Sequence, residues 1–504
     1  MSIINSAVLA FLRRRLNKID YFRRHPWEVQ EKLFSSLIRT AQSTEWGKQY
    51  NYASIKTIKD YQQQVPVQEY AEFIPYIDRM RRGEENILWP TPVKWFAKSS
   101  GTTSSKSKFI PVSKESLQGC HYQGMKDMVL LYMQKYPDNK LSVGKSLTLG
   151  GSLQADESGS GIHYGDLSAI LINNTPLYAE IKRAPHRETA TIPDFETKVQ
   201  QIAREVARKN IVSFSGVPSW NLVLMKQILE YSGKSNLIEL WPNLEVFFHG
   251  GVSFTPYKEQ YKKIIPKNTM HYIETYNASE GFFALQDDEA DPAMMLMLDL
   301  ETFFEFIPLS EVGKEFPDAL TIADVKTHVN YAMIISANNG LWRYLIGDTI
   351  MFTSTNPYKI KIIGRTRHYI NAFGEELIVD NAEAALKIAS EKTGAIVQEY
   401  TVAPVFMDDN AKGAHEWLIE FDTPPADIEQ FADILDAALC TVNSDYEAKR
   451  SKNVTLNRLI LNVVPQNTFY EWMRQRGKLG GQHKVPRLFN MREYVDELKK
   501  IANC

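Results

Sequence analysis

An α/β fold is predicted, with a larger N-terminal domain over residues 1–364 and a smaller α+β domain over 365–504, and three features of the sequence predict it. First, short apolar or aromatic runs at 93–98, 212–214, 244–249 and 271–276 lead into Gly, Ser or Asn, and helical periodicity fills stretches between them, as at 195–209 and 220–231. Strands alternating with helices build a sheet covered on its faces. Second, residues 294–306 and 325–352 carry strand-like apolar runs that lie close in sequence, which predicts a more antiparallel portion. Third, beyond Gly364, a helix at 380–393, strands at 395–405 and 416–421 and a helix at 428–439 describe a separate unit.

The lead-in to these elements is helical. Leu9, Leu16 and Ile19, then Val29, Leu33 and Leu37, recur at helical spacing. The first apolar stretch is followed by Arg13, Arg14 and Arg15, whereas a signal peptide carries its charge first, so it reads as an amphipathic helix packed on the body. No other run approaches the ~20 apolar residues that cross a bilayer, and stable membrane insertion is not expected. The 504 residues, 44% of them hydrophobic, are enough for an enzyme-sized core. Lys and Arg number 58 against 60 Asp and Glu, without a long single-sign block, which argues against nucleic acid as a partner. Cys120, Cys440 and Cys504 are odd in number and lack a CxxC spacing, which fits a reducing cytoplasm.

The common phosphate signatures break. Gly144-Lys145-Ser146 would need glycine at Asn139 to make a P-loop, Gly233-Lys234-Ser235 would need it at Ile228, and the dinucleotide fingerprint from Gly159 and Gly161 would need it at Tyr164. There is no GxSxG elbow, and His415-Glu416 lacks the second histidine of a zinc protease.

Three segments carry chemistry. Ser99-Ser100-Gly101-Thr102-Thr103-Ser104-Ser105-Lys106-Ser107-Lys108 lies between apolar flanks, so hydroxyls, a glycine and backbone N–H groups in a loop can surround a polyphosphate while lysines neutralise it. A flexible serine-rich turn accounts for the same residues. The strand beginning at His271 delivers Tyr276-Asn277-Ala278-Ser279-Glu280-Gly281 into a turn, bringing an aromatic for a base, a hydroxyl and a carboxylate for Mg²⁺. A surface turn with an ordinary glutamate is the plainer account. The run Trp342-Arg343-Tyr344-Leu345-Ile346-Gly347-Asp348 ends in a carboxylate able to accept from ribose hydroxyls, although Gly-Asp is also a common turn dipeptide. Gly364-Arg365, Gly374-Glu375-Glu376 and Gly481-Gln482-His483-Lys484-Val485-Pro486-Arg487 follow.

In this order and spacing the segments resemble the adenylate-forming superfamily of acyl-CoA synthetases, peptide synthetase adenylation domains and luciferases. More closely, the chain is similar to the auxin-responsive Gretchen Hagen family of acyl acid amido synthetases, in a form typical of bacteria. The likeness extends through Pro75-Tyr76-Ile77 ahead of Gly83 and through Gly250-Gly251 with Pro256-Tyr257. It implies an adenylate-forming fold with a large multi-sheet N-terminal domain and a mobile C-terminal domain. It also implies that Ser99, Ser100, Thr102 and Thr103, with Lys108 nearby, contact ATP phosphates. By the same resemblance Gly250 and Gly251 let the backbone approach adenine, Tyr276 stacks on the base, Ser279 touches phosphate and Glu280 holds Mg²⁺. Asp348 grips the ribose helped by Arg365, and Lys484 bridges the carboxylate and the α-phosphate. Where plant members have Tyr-Arg, this chain has Tyr344-Leu345 with Arg343 on the other side.

The implied reaction is ATP-dependent activation of a small carboxylic acid as its acyl adenylate, then transfer to an amine, an amino acid, to form an amide. The segment 364–368 would be the hinge between the two steps. A thiol acceptor, coenzyme A or a carrier protein, and an inactive binding protein of the same fold are the competing readings. A cytoplasmic monomer is expected. His163, His249 and His271 lie beside apolar residues and are assigned no role as a base.

Overall fold

The computed structural model describes residues 3–99, 108–154, 161–251, 254, 257–312, 314–365, 369–370, 377–405, 413–443, 446–447, 450, 456–479, 484–489 and 491–502, with backbone alone at 3–12, 99, 178, 219, 310, 364–365 and 369. The chain divides into two compact units, one of Met1–Gly251 with Ile265–Ile362, the other of Val252–Ile264 with Ile363–Cys504.

The first unit is organised by one sheet. Among the described residues it has eleven strands in the order Thr302–Pro308, Asn330–Ala337, Tyr344–Thr355, Tyr358–Arg365, Met294–Leu296, Gly281–Leu285, His271–Ala278, Val246–Gly250, Ile211–Gly216, Lys145–Thr148 and Arg183–Ala184. From Arg183–Ala184 to His271–Ala278 the described pairs are parallel. From His271–Ala278 onward they are antiparallel, as the apolar runs after residue 294 predict. The parallel strands alternate with helices, and Phe195–Val206 shows why. Asp194 accepts from the Thr197 N–H at 2.9 Å as an N-cap, and Phe195, Val199, Ile202, Ala203 and Val206 put a buried stripe on one face. A smaller four-stranded sheet pairs Trp95–Ser99 antiparallel with Lys108–Val112 and parallel with His163–Gly165.

The basic helix Ile3–Arg24 is packed on the body. Arg15 reaches Asp127 at 2.8 Å and Asp299 at 2.8 Å, and Arg23 reaches Asp287 at 3.2 Å. No helix among the described residues is long and apolar enough to cross a membrane.

In the second unit Ile396–Val405 pairs antiparallel with Ala414–Thr423, which pairs parallel with Ile460–Val464. Helices Val379–Thr393 and Ile428–Val442 contribute Leu386, Phe431 and Leu435 to a core shared with Tyr400 and Trp417. The buried Glu416 accepts from Arg492 at 2.6 Å, Lys499 at 2.7 Å and Asn462 at 2.7 Å, so its charge is surrounded by donors.

Arg343, the arginine displaced from the plant pattern, is wholly buried. Its Nε donates to Glu305 at 3.1 Å and its Nη1 to the carbonyls of Gln62 at 2.9 Å and Val65 at 2.7 Å, so it serves the core. Removing one member of a buried pair strands the other charge and costs about 3–5 kcal/mol. Urea denaturation of Arg343→Met is expected to show a loss of that size, with much of it recovered in Arg343→Met/Glu305→Leu; a double variant no more stable than the single one contradicts the pairing account.

Candidate active site

In a parallel sheet the loops at the carboxyl ends of the strands form the binding edge, most of all where the strand order changes direction. The order reverses between Lys145–Thr148 and Ile211–Gly216, and the nominated residues lie further along the same edge, at the ends of Val246–Gly250 and His271–Ala278. Gly250 closes the first strand against the second, where a Cβ would stand 2.2 Å from the Thr275 carbonyl oxygen, so only glycine fits. Gly251 follows at φ +86°, a left-handed conformation that turns the chain away.

His271–Ala278 folds back on Gly281–Leu285 with Ala278 opposite Gly281, leaving Ser279 and Glu280 as the whole turn. Both are buried, and the Glu280 carbonyl accepts from Asn339 Nδ2 at 3.0 Å. Strand alternation sends Tyr276 and Asn277 to opposite faces. The Tyr276 hydroxyl donates to the Asp348 carboxylate, and its ring meets Phe283 edge-on at 5.0 Å. Asn277 adjoins His121, an imidazole pushed down to about 4 by burial, which keeps it neutral near pH 7. His121 ends a π-helical turn, Ser116–His121, whose Cys120 Sγ accepts from the Phe282 N–H at 3.1 Å.

Lys108 opens the strand Lys108–Val112, in register with Ser99. Its ammonium donates to the Tyr344 hydroxyl at 3.3 Å and lies 5.5 Å from the Tyr70 ring centroid. Burial pushes the Tyr70 phenol up, and the Glu280 carboxylate adds to the rise. Lys108, Tyr70 and Tyr344 thus form one contact cluster. Tyr70 was not singled out from the sequence, and Tyr344 stood there only as part of the third segment, with no role assigned. Tyr70 begins the helix Tyr70–Met80, and no local pattern says which side chain its ring will meet.

Of the residues nominated from sequence, Lys108, Gly250, Gly251, Tyr276, Ser279, Glu280 and Asp348 belong to the first unit. The hydrogen bond joins Tyr276 to Asp348, and the turn joins Ser279 to Glu280. Ser99 and Arg365 end strands with their backbones described, their side chains not; Ser100, Thr102 and Thr103 lie outside the described residues. Lys484 is exposed in a loop of the second unit. His249 is buried and pushed down to about 3 by that burial, and His271 Nδ1 lies 2.8 Å from Glu289.

Models of the GH3 family match three stretches, its N-terminal domain over residues 15–270, its central domain over 295–365 and its C-terminal domain over 380–493. The chain belongs to the GH3 family. The Arabidopsis thaliana indole-3-acetic acid-amido synthetase GH3.3 is 22% identical, over 95% of this GH3 chain and 91% of its own. A solved GH3.15 acyl acid amido synthetase shares the fold at a TM-score of 0.77 and 18% identity, covering 96% of this chain and 95% of that one. A 2-hydroxyisobutyryl-CoA ligase in its postadenylation state shares it more loosely, at 0.61 and 12% identity over 94% and 92%. The fold read from the motifs, that of adenylate-forming enzymes, is therefore the fold observed.

Gly250→Ala would drive a methyl into the Thr275 carbonyl, and overpacking of this kind costs about 1–3 kcal/mol. A urea midpoint shift of that size is expected, and an unchanged midpoint would show that the two strands tolerate a wider spacing.

Proposed function

We propose that this GH3 chain uses ATP to activate a small carboxylic acid as an acyl adenylate and then transfers the acyl group to the amine of an amino acid. The observation that carries the reading is the meeting of Tyr276 and Asp348 beside the Ser279-Glu280 turn, at the sheet edge where parallel pairing gives way to antiparallel. An aromatic, a carboxylate and a charged turn in that proximity suit a base, a ribose and a polyphosphate.

A carboxylate is a poor acylating agent because its leaving group would be oxide. In the first step a carboxylate oxygen attacks the α-phosphorus, the bond from that phosphorus to the bridging oxygen breaks, and pyrophosphate leaves. In the second the amine nitrogen attacks the acyl carbon, the bond to the AMP oxygen breaks, and the amine proton passes to solvent. Both steps depend on positioning and on offsetting developing charge. Ser99, Ser100, Thr102, Thr103 and Lys108 serve the phosphates, with Ser279. Gly250, Gly251 and Tyr276 serve adenine, and Asp348 and Arg365 the ribose. Lys484 places its charge between the attacking carboxylate and the α-phosphate.

Magnesium, when bound, would offset phosphate charge. Glu280 is the residue to hold it, and a single carboxylate suits an ion that keeps water and phosphate oxygens as its other ligands. Among the described residues no group of three or more His, Cys, Asp or Glu is poised to bind a metal. The second unit reorients between the steps about the chain near Gly364, and the working form is a cytoplasmic monomer.

The test is ATP–pyrophosphate exchange over a panel of indole-3-acetate, benzoate, 2-hydroxyisobutyrate and straight-chain fatty acids, followed by AMP release with amino acids or coenzyme A. Exchange with an acid and AMP release stimulated by amino acids are expected. Stimulation by coenzyme A alone would replace the amine with a thiol, and no exchange with any acid would overturn the reading. Lys484→Ala is expected to slow exchange at least about 100-fold while ATP binding, followed by calorimetry, persists.

A further inference from the structure

The loop that carries Lys484 has a base unlike its tip. Lys484 is exposed, but the residues just after it are bound along Ile396–Val405. Thr401 Oγ1 donates to the Pro486 carbonyl at 2.6 Å, the Val402 N–H donates to the Arg487 carbonyl at 2.8 Å, and the Phe489 N–H donates to the Val402 carbonyl at 3.1 Å. The Arg487 side chain, about nine-tenths buried, is held on every side. Its guanidinium pairs with the Glu399 carboxylate, donates to the Tyr257 hydroxyl at 2.9 Å and the Tyr400 carbonyl at 3.3 Å, and lies 4.6 Å from the Tyr400 ring centroid. Tyr257 in turn donates to Glu399 at 3.1 Å, and Glu399 accepts from the Tyr400 N–H at 3.1 Å.

A buried ion pair is a poor way to gain stability, since apolar side chains of similar volume commonly do as well. What a guanidinium with three fixed acceptors and a ring face supplies is orientation. That orientation has a short, stiff path to Lys484. Pro486 fixes its own φ, and a residue before proline is confined to extended conformations, so Val485 has little freedom. With Arg487 clamped, few soft torsions remain between the clamp and the lysine backbone.

We propose that Arg487 is a positioning residue for Lys484, and that Glu399 and Tyr257 complete the clamp that holds the base of the lysine loop. The inference rests on the adenylation role given to Lys484 above. It also gives a reason for the segment Val252–Ile264, which follows Gly251 directly in sequence, to be grouped with the second unit: Tyr257 is one jaw of the clamp, and Lys263 adds a contact to Asp422 at 3.3 Å.

The test compares Arg487→Met, Lys484→Ala and their double variant in ATP–pyrophosphate exchange, using the panel acid that exchanges fastest, with thermal melting to verify folding. A misplacement of about 1 Å can cost 10²-fold, so Arg487→Met is expected to lower kcat for exchange about 10- to 100-fold and to change the KM for ATP less than about threefold. Because Arg487 acts through Lys484, the double variant is expected to be no slower than Lys484→Ala. If Arg487→Met does not fold, Tyr257→Phe removes one hydroxyl and is expected to slow exchange about 2- to 10-fold with the same non-additivity. Losses that multiply in the double variant, or a folded Arg487→Met with unchanged kcat, would overturn the clamp and leave the function standing. An unchanged rate in Lys484→Ala, or exchange with no acid, would instead sink the underlying reading and the clamp with it.

Discussion

The strand His271–Ala278 is bonded parallel to Val246–Gly250 on one edge and antiparallel to Gly281–Leu285 on the other, and the placement of polar groups in the first unit follows from this. Parallel pairing requires each strand to be reached by a crossover, so the carboxyl ends of successive strands stand together. Antiparallel pairing permits an immediate reversal, so Ser279 and Glu280 are held in a tight turn at that same end. One strand with two kinds of neighbour thus delivers a glycine approach, an aromatic and a carboxylate to one edge.

Residues from far earlier in the chain hold that edge in place. Gln68 exchanges backbone hydrogen bonds with the strand beside Tyr344, its N–H donating to the Arg343 carbonyl at 2.9 Å and its carbonyl accepting from the Leu345 N–H at 2.8 Å. Two residues on, the Tyr70 hydroxyl accepts from the Phe109 N–H at 2.6 Å and so fixes the start of the strand that presents Lys108. The segment from Gln68 to Tyr70 therefore forms a wall against the strands that carry Lys108 and Tyr344. Arg343 completes this wall from within, joining the carbonyls of Gln62 and Val65 to Glu305 through one guanidinium.

What was legible in the sequence was what depends on local pattern. The helix Phe195–Val206 declares itself because its apolar residues recur at the helical period. The antiparallel portion declares itself because its strands are too close in sequence for crossovers. Tyr276, Ser279 and Glu280 could be nominated together because a hairpin keeps sequence neighbours as spatial neighbours. Tyr70 and Tyr344 could not, since their meeting over Lys108 is a long-range pairing between chain segments that carry no mutual signal. The same holds for Val252–Ile264, whose grouping with the second unit depends on Tyr257 finding Arg487 and Glu399. Arg343 was visible as an arginine at an unusual place, but only burial reveals that it serves the core. The serine-threonine segment with Ser100, Thr102 and Thr103 lies outside the described residues, so its reading stands on sequence.

Charge sets a demand that the proposed chemistry has to meet. Asp348 and Glu280 are buried there, and the substrates bring a carboxylate and a triphosphate, so the reacting atoms would meet in a field of like sign. Lys108 is the nominated cation on that side, and it is already engaged by the Tyr344 hydroxyl and the ring faces of Tyr70 and Tyr344. A cation held permanently between carboxylate and phosphate would favour the first step but bind its products too well, because charge that stabilises attack on the α-phosphate also stabilises the adenylate. Under the proposed function the cation is Lys484, exposed in a loop of the second unit.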